Sequence, residues 1–302
     1  MSTSVPPPAL SEPPRLFTRG RLVRRRFRRN RFALAGLIGL GLMVLLAVAV
    51  PPLWPWQATD IDPRAFLSPP SAEHLWGTTQ AGRDVLALTA SGLGKSLLIG
   101  VLVAVLATTL AALVGASAAY LGGWFERSML WLIDLLLVIP AFFLIAIVTR
   151  GAESSAGSWW LLVILLAAFA WPLSARVVRS ATLSLRERDY VLAARYLGAS
   201  PLRIIATHLL PNASSLLIID ATLGVGYAIL SETGLSYFGF GVQAPDVSLG
   251  TLIASGSNLM IGYPWVFVAP AATLVVLVLC VNAIGDGLRD AFDPGSTPGG
   301  GR

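Results

Sequence analysis

The 302-residue chain is 55% hydrophobic and only 13% charged, with a mean hydropathy of +0.72, which excludes an ordinary soluble domain with its ~25% of charged residues. A net charge of +6 and a pI of about 10.1 would suit a nucleic-acid binder, but the basic residues stand in blocks beside apolar runs, the pattern of membrane topology rather than of a nucleic-acid partner. Cys280 is the only cysteine and lies in an apolar run, and His74 and His208 are far apart, so no internal disulfide framework, no cysteine-based metal site and no histidine ligand spacing is present.

The first 31 residues are rich in proline and then in arginine, with nine arginines between positions 15 and 31. Such a segment buries too little apolar surface to fold, and residues 1–31 are expected to be a disordered basic tail lying against anionic lipid headgroups. Residues 24–27 match the RRxF core of a twin-arginine export signal. The uncharged run that follows, 32–50, is 19 residues long, beyond the ~7–15 of a signal-peptide core. It reads as an uncleaved first span, with its helix set at 32–53.

An extracytoplasmic segment over 54–95 comes next. A five-helix core over 96–287 then has spans near 97–120, 129–149, 158–176, 215–236 and 264–284, each close to the ~20 residues that cross about 30 Å of hydrocarbon. The chain closes with a tail over 288–302, Gly/Pro-rich from residue 294. Pro140, Pro172 and Pro270 interrupt spans; each removes a backbone donor and tends to kink its helix, although membrane helices also tolerate proline. No internal repeat is apparent.

Six spans put both termini on one side. Lysines and arginines number nine in the first tail, one (Arg127) between spans two and three, six between spans four and five, and two at the end. Those eighteen stand against four on the other side, Arg64, Arg83, Lys95 and Arg150. The bias places both termini and a loop over 177–214 in the cytoplasm. The expected fold class is therefore all-α and polytopic, with six transmembrane helices, N-in and C-in.

Several polar residues invite a chemical reading. In residues 74–86, HLWGTTQAGRDVL, Arg83 and Asp84 are expected to pair with each other or to cap the second span, a structural role. GLGKS at 92–96 has the end of a phosphate-binding loop, but that motif needs Gly five residues before Gly94, where Thr89 stands, so nucleotide binding by this chain is not expected. Ser231, Glu232 and His208 cannot form a hydrolytic set, because most of a span separates them. Acids inside the bilayer are costly and face protein or water. Asp134 and Asp220 lie near the cytoplasmic ends, close to Arg127 and to the 188–211 loop, where a salt bridge or snorkelling suffices. Glu232, near the outer end of span five, is the candidate for lining a pathway or gate, with a structural hydrogen bond as the alternative.

Residues 188–211, RDYVLAARYLGASPLRIIATHLLP, contain no run long enough to cross a bilayer. Asp189 can cap a short helix with Tyr190 in its first turn, and Ala193-Ala194 supplies helix formers almost without side chains. Gly198 fits a left-handed C-terminal cap, and Ser200-Pro201 restarts a second helix. Leu202, Ile205 and Leu209 at i, i+3 and i+7 give that helix one apolar face, and it is expected to stop before Pro211. The stretch is either an ordinary connection or a docking element whose small surface admits close approach.

This loop resembles the cytoplasmic coupling motif of ATP-binding-cassette importer permeases: Glu-Ala-Ala, three residues, Gly, nine residues, Ile, one residue, Leu-Pro. Ala193, Ala194, Gly198, Leu210 and Pro211 match, while Leu192 replaces the glutamate and His208 the isoleucine. Residues 74–86, ILSETGLSYFGFGVQAP at 229–245 and GDGLRDAFDP at 285–294 are similar to further blocks of the dipeptide/oligopeptide/nickel branch, in the same order. The resemblance implies the type I importer permease fold, second-permease type, in a bacterial cytoplasmic membrane. It implies no catalytic residues and no cofactor or metal bound by this chain. Its implied partners are a homologous permease, two ATPases that hold ATP and Mg²⁺, an extracytoplasmic solute-binding protein and the lipid bilayer. The implied ATPase-coupling set is Asp189, Tyr190, Val191, Leu192, Ala193, Ala194, Arg195, Leu197, Gly198, Ala199 and Pro211. With Leu192 in the glutamate's place, the contact is expected to rest on helix shape and small side chains. Peptides are the implied cargo, with nickel or other small solutes open. An ion-coupled secondary transporter would favour two inverted halves, and a membrane-embedded enzyme would need several polar groups at one depth; the sequence offers neither.

Overall fold

The computed structural model describes residues 19–151 and 159–292; of the tail expected over 288–302, residues 288–292 belong to the last helix and the rest lie outside the described residues, as do the first eighteen residues of the basic tail. Every regular element among the described residues is helical: α1 (Arg19–Arg29), α2 (Arg31–Leu53), α3 (Val85–Leu121), α4 (Gly123–Val138), α5 (Ala141–Gly151), α6 (Trp159–Arg186), α7 (Asp189–Tyr196), α8 (Pro201–Ile204), a π turn (Ile205–Leu209), α9 (Leu210–Asn212), α10 (Ser214–Tyr237), α11 (Leu249–Ser257) and α12 (Pro264–Phe292). Helices α2, α3, α6, α10 and α12 are each long and apolar enough to cross a membrane, and α4 with α5 forms a sixth apolar segment bent by 79°.

That bend corrects the single span expected over 129–149. Pro140 stands at the break: α4 ends with the Ile139 N–H on the Leu135 carbonyl, and α5 restarts with the Phe143 N–H on the Pro140 carbonyl. A proline without an N–H cannot continue the ladder, and nothing here re-satisfies it in line. Pro172 and Pro270, by contrast, lie inside continuous helices.

The second span is also longer than expected. Helix α3 has 37 residues, about 55 Å at 1.5 Å per residue, against roughly 30 Å of hydrocarbon. The boundary expected at 95/96 falls inside it. Asp84 starts the helix, its carboxylate accepting from the Ala87 N–H at 2.8 Å; it does not pair with Arg83, because its other oxygen meets His74 Nδ1 at 2.9 Å.

Two further helices were not legible. Residues 19–29 form α1 instead of a disordered stretch, because their apolar side chains pack on α12. Helix α11 begins at a reciprocal cap between Ser248 and Thr251 and lies against α3, α10 and α12.

Helix α3 is the centre of the bundle and touches α2, α6, α10, α11 and α12. Within a bilayer the drive for such contacts is close packing rather than escape from water, so small residues matter: Ala107, Ala111 and Ala175 let α3 and α6 approach around Ile133 and Trp171. A second cluster joins Leu93, Ile229, Leu249 and Leu277 from α3, α10, α11 and α12. Helix α2 buries only Ala33 and Gly36 and turns Leu42, Leu45 and Val48 outward. One end of the bundle gathers α1, α7–α9 and the last turn of α12. The other holds residues 54–84, pinned by Trp265 Nε1 on the Thr78 carbonyl at 3.1 Å, together with α11.

Candidate functional site

Between α6 and α10 the chain makes a compact element of α7, a tight turn and α8. Asp189 is the first residue of α7 rather than its cap; Arg188 holds the cap position, and no side chain bonds there. An acid in the first turn still complements the helix dipole. At the other end the Gly198 N–H reaches the Arg195 carbonyl and the Ala199 N–H the Ala194 carbonyl, 3.0 and 3.1 Å, the paired bonds of a Schellman cap. Gly198 has φ +80°, the left-handed conformation expected of it. Ser200 precedes Pro201 at the start of α8 as expected, but its side chain makes no cap bond.

The second helix does not stop before Pro211. Residues 205–209 form a π turn, with the Leu210 N–H on the Ile205 carbonyl, and α9 carries Pro211 onward. A π turn widens the ladder locally, which gives the proline ring room where an α turn would bring it against the carbonyl four residues back. The apolar face also differs from the one expected. Ile204, Ile205 and Leu209 are buried with Val191 against Ala116 and Val178, whereas Leu202, expected on that face, is 78% exposed.

One side of the element is thus anchored in the bundle and the other is open. Tyr196 and Leu197 are each 87% exposed, and Tyr190 and Leu192 are exposed beside them. Ala193, Arg195 and Pro211 also face outward, while Ala194 and Ala199 are half-buried. Sequence reasoning missed Tyr196, although its place four residues after Leu192 puts both on one helix face. The support below is fixed by polar ties: Arg186 Nη1 donates to the Ala119 carbonyl at 2.8 Å, and Arg179 Nε to Glu126 at 2.7 Å. His208, in the motif's isoleucine position, is half-buried with its ring 6.3 Å from that of Tyr190.

Two of the acids inside the bundle have partners other than those expected, and the third is held by hydrogen bonds. Asp134 pairs with Arg176 instead of Arg127. Asp220 accepts from the hydroxyls of Thr108 and Ser174 at 2.8 and 2.7 Å instead of forming a salt bridge. Glu232 is fully buried; Ser236 Oγ donates to it at 2.5 Å and Ser96 Oγ at 3.3 Å. Ser96 in turn accepts from the Leu249 N–H, and Ser236 from the Val242 N–H, both at 3.1 Å. The carboxylate therefore ties α3, α10 and the approach to α11. His208 lies at the far end of α10, so the two do not meet.

Lys95 of the GLGKS stretch is on a helix, bonded to Asp246 at 2.8 Å and stacked over Trp159. At the end of the bundle that holds residues 54–84, a cavity of about 540 Å³ is lined by Gln80, Arg83, Gln243, Thr251 and Ser255 among others. Arg83 there has no acidic partner among the described residues. Those residues also contain no group of three His, Cys, Asp or Glu side chains able to hold a metal.

Residues 107–297 match the family described as the inner membrane component of binding-protein-dependent transport systems. Residues 18–70 match the N-terminal TM domain of oligopeptide transport permease C. The chain is 54% identical over 279 residues to the oligopeptide transport system permease protein OppC of Mycobacterium bovis, covering 92% of this chain and 96% of that one, and equally to OppC of Mycobacterium tuberculosis H37Rv. It is 40% identical over 272 residues to a Brucella suis biovar 1 protein named as a peptide permease, with 89% of each chain covered.

Proposed function

The chain belongs to the family of binding-protein-dependent transport inner membrane components, and from that footing we propose that it is the oligopeptide-conducting permease that its 54% identical relatives are named for. It is a multi-pass membrane subunit of an ATP-driven importer, not an enzyme. In this reading it pairs with a homologous permease, receives cargo from an extracytoplasmic solute-binding protein, and docks on two ATPases that hold the ATP and Mg²⁺. Eighteen of its 22 basic residues then lie on the cytoplasmic side, with α7 and both termini.

The observation that carries the docking role is the two-sided build of residues 189–211. Val191, Ile204, Ile205 and Leu209 root it in α3 and α6, while Tyr196, Leu197 and Leu202 stand largely exposed among the described residues. A rooted element transmits displacement to the spans; a loose one would absorb it. Work is done only if the ATPases hold α7 differently in their two nucleotide states. The bent α4–α5 pair and α10 then open the path to one side or the other.

The test is reconstitution of the full complex in vesicles with its binding protein and a labelled oligopeptide. Tyr196→Ala together with Leu197→Ala removes the open apolar contact without touching the root. Uptake should fall about ten-fold or more, the scale of losing two well-packed interface side chains, while the variant still inserts and pairs with the other permease. Unchanged uptake would remove α7 as the docking site.

A further inference from the structure

We infer that α1 is a binding site for the headgroups of anionic phospholipids, and that it is latched to α12 so that bound lipid fixes the ends of the first and last spans together. At 3.6 residues per turn, Arg21, Arg24, Arg25, Arg28 and Arg29 fall within one arc of about 140°. All five are exposed and together line a cavity of about 380 Å³. No acid of the described residues shares that lining. The opposite arc carries Val23 and Phe27, both half-buried. Phe27 lies beside Gly287 of α12, a position where any side chain would collide with Ala33 of α2.

Placement at the bilayer surface follows from one residue. Asn30 alone separates α1 from α2; its side-chain oxygen accepts from the Phe32 and Ala33 N–H groups, and its amide donates to Asp290 at the end of α12 at 3.2 Å. The apolar run begins at Phe32, which is 83% exposed. An 11-residue helix is about 16 Å long and has no slack with which to leave the boundary. Arg28 and Arg29 are therefore at headgroup depth in any orientation, and all five are if α1 lies along the interface. Five guanidinium groups on one face repel unless anions stand among them. Lipid phosphates are the anions concentrated at this depth, and the planar guanidinium takes a phosphate through two parallel N–H bonds. This inference is independent of the cargo and of the ATPase contact.

The test is native mass spectrometry of the purified transporter complex, titrated in detergent with phosphatidylglycerol or phosphatidylcholine. The wild type should retain phosphatidylglycerol in preference. Arg24→Gln, Arg25→Gln and Arg28→Gln combined should raise its half-saturating concentration at least about ten-fold with phosphatidylcholine unaffected, and lysine at the same three positions should keep the preference. If the glutamine variant does not assemble, Arg25→Gln alone should still weaken retention by about two-fold or more. Equal retention by wild type and glutamine variants would overturn the proposal. So would loss of the ATPase subunits with lipid retention intact, which makes the face a protein interface, or displacement of the lipid by equimolar inorganic phosphate.

Discussion

A side chain at position 198 must adopt a backbone with φ +80°, which costs a β-branched residue about 1–2 kcal/mol or more. No neighbouring atom lies where its Cβ would go, so the penalty is conformational rather than steric. Gly198→Val should open the Schellman cap and let α7 swing relative to α8. The expected outcome is ATP hydrolysis retained within about two-fold and transport per ATP reduced several-fold, read by measuring both in the same vesicles; intact coupling would separate the turn from the function. Position 192 bears on the same contact. Leu192 is partly exposed on the open side, so an apolar surface stands where the related motif carries an acid. The turn was legible because glycine's permissiveness is local. The exposure of Leu202 was not, because the buried face runs through Ile204, Ile205 and Leu209 against Ala116 and Val178, and periodicity alone does not say which residues of a short helix the bundle covers.

At the scale of elements, the Glu232 network joins three helical segments through two serines. Glu232→Ala leaves two buried hydroxyls short of a partner, and each unsatisfied group costs about 1–3 kcal/mol; the purified complex should melt measurably earlier. Glu232→Gln keeps an acceptor and lets the second serine hydroxyl rotate to accept, so both melting and transport should stay near wild type. A Gln variant that melts normally yet fails to transport would instead assign the carboxylate to the pathway. Spans declare themselves by length, and the break at Pro140 by chemistry. Helices α1 and α11 do not, because each rests on a partner distant in sequence: Phe27 meets Gly287, and the start of α11 bonds to Ser96 of α3. Composition within a short window cannot register surface buried 260 residues away.

For the whole molecule, orientation is the property with the sharpest experiment. Cys280 is 8% exposed, so a thiol introduced by Ala199→Cys should be the reactive one. It should label with a membrane-impermeant maleimide only after the cytoplasmic face is opened, whereas Gln57→Cys should label in intact cells; the reverse pattern would invert the topology. The pairing of α2 with α12 also sets an order of events during synthesis. About 210 residues separate the end of α2 from the start of α12, and at ~5–20 residues per second a ribosome needs roughly 10–40 s to make them. The first of these spans thus meets α3 early but completes its contact with α12 only after the rest of the bundle has been made. Until then the face that α12 will cover stands in lipid, which an uncharged helix from Phe32 onward, its backbone bonded within itself, can sustain indefinitely.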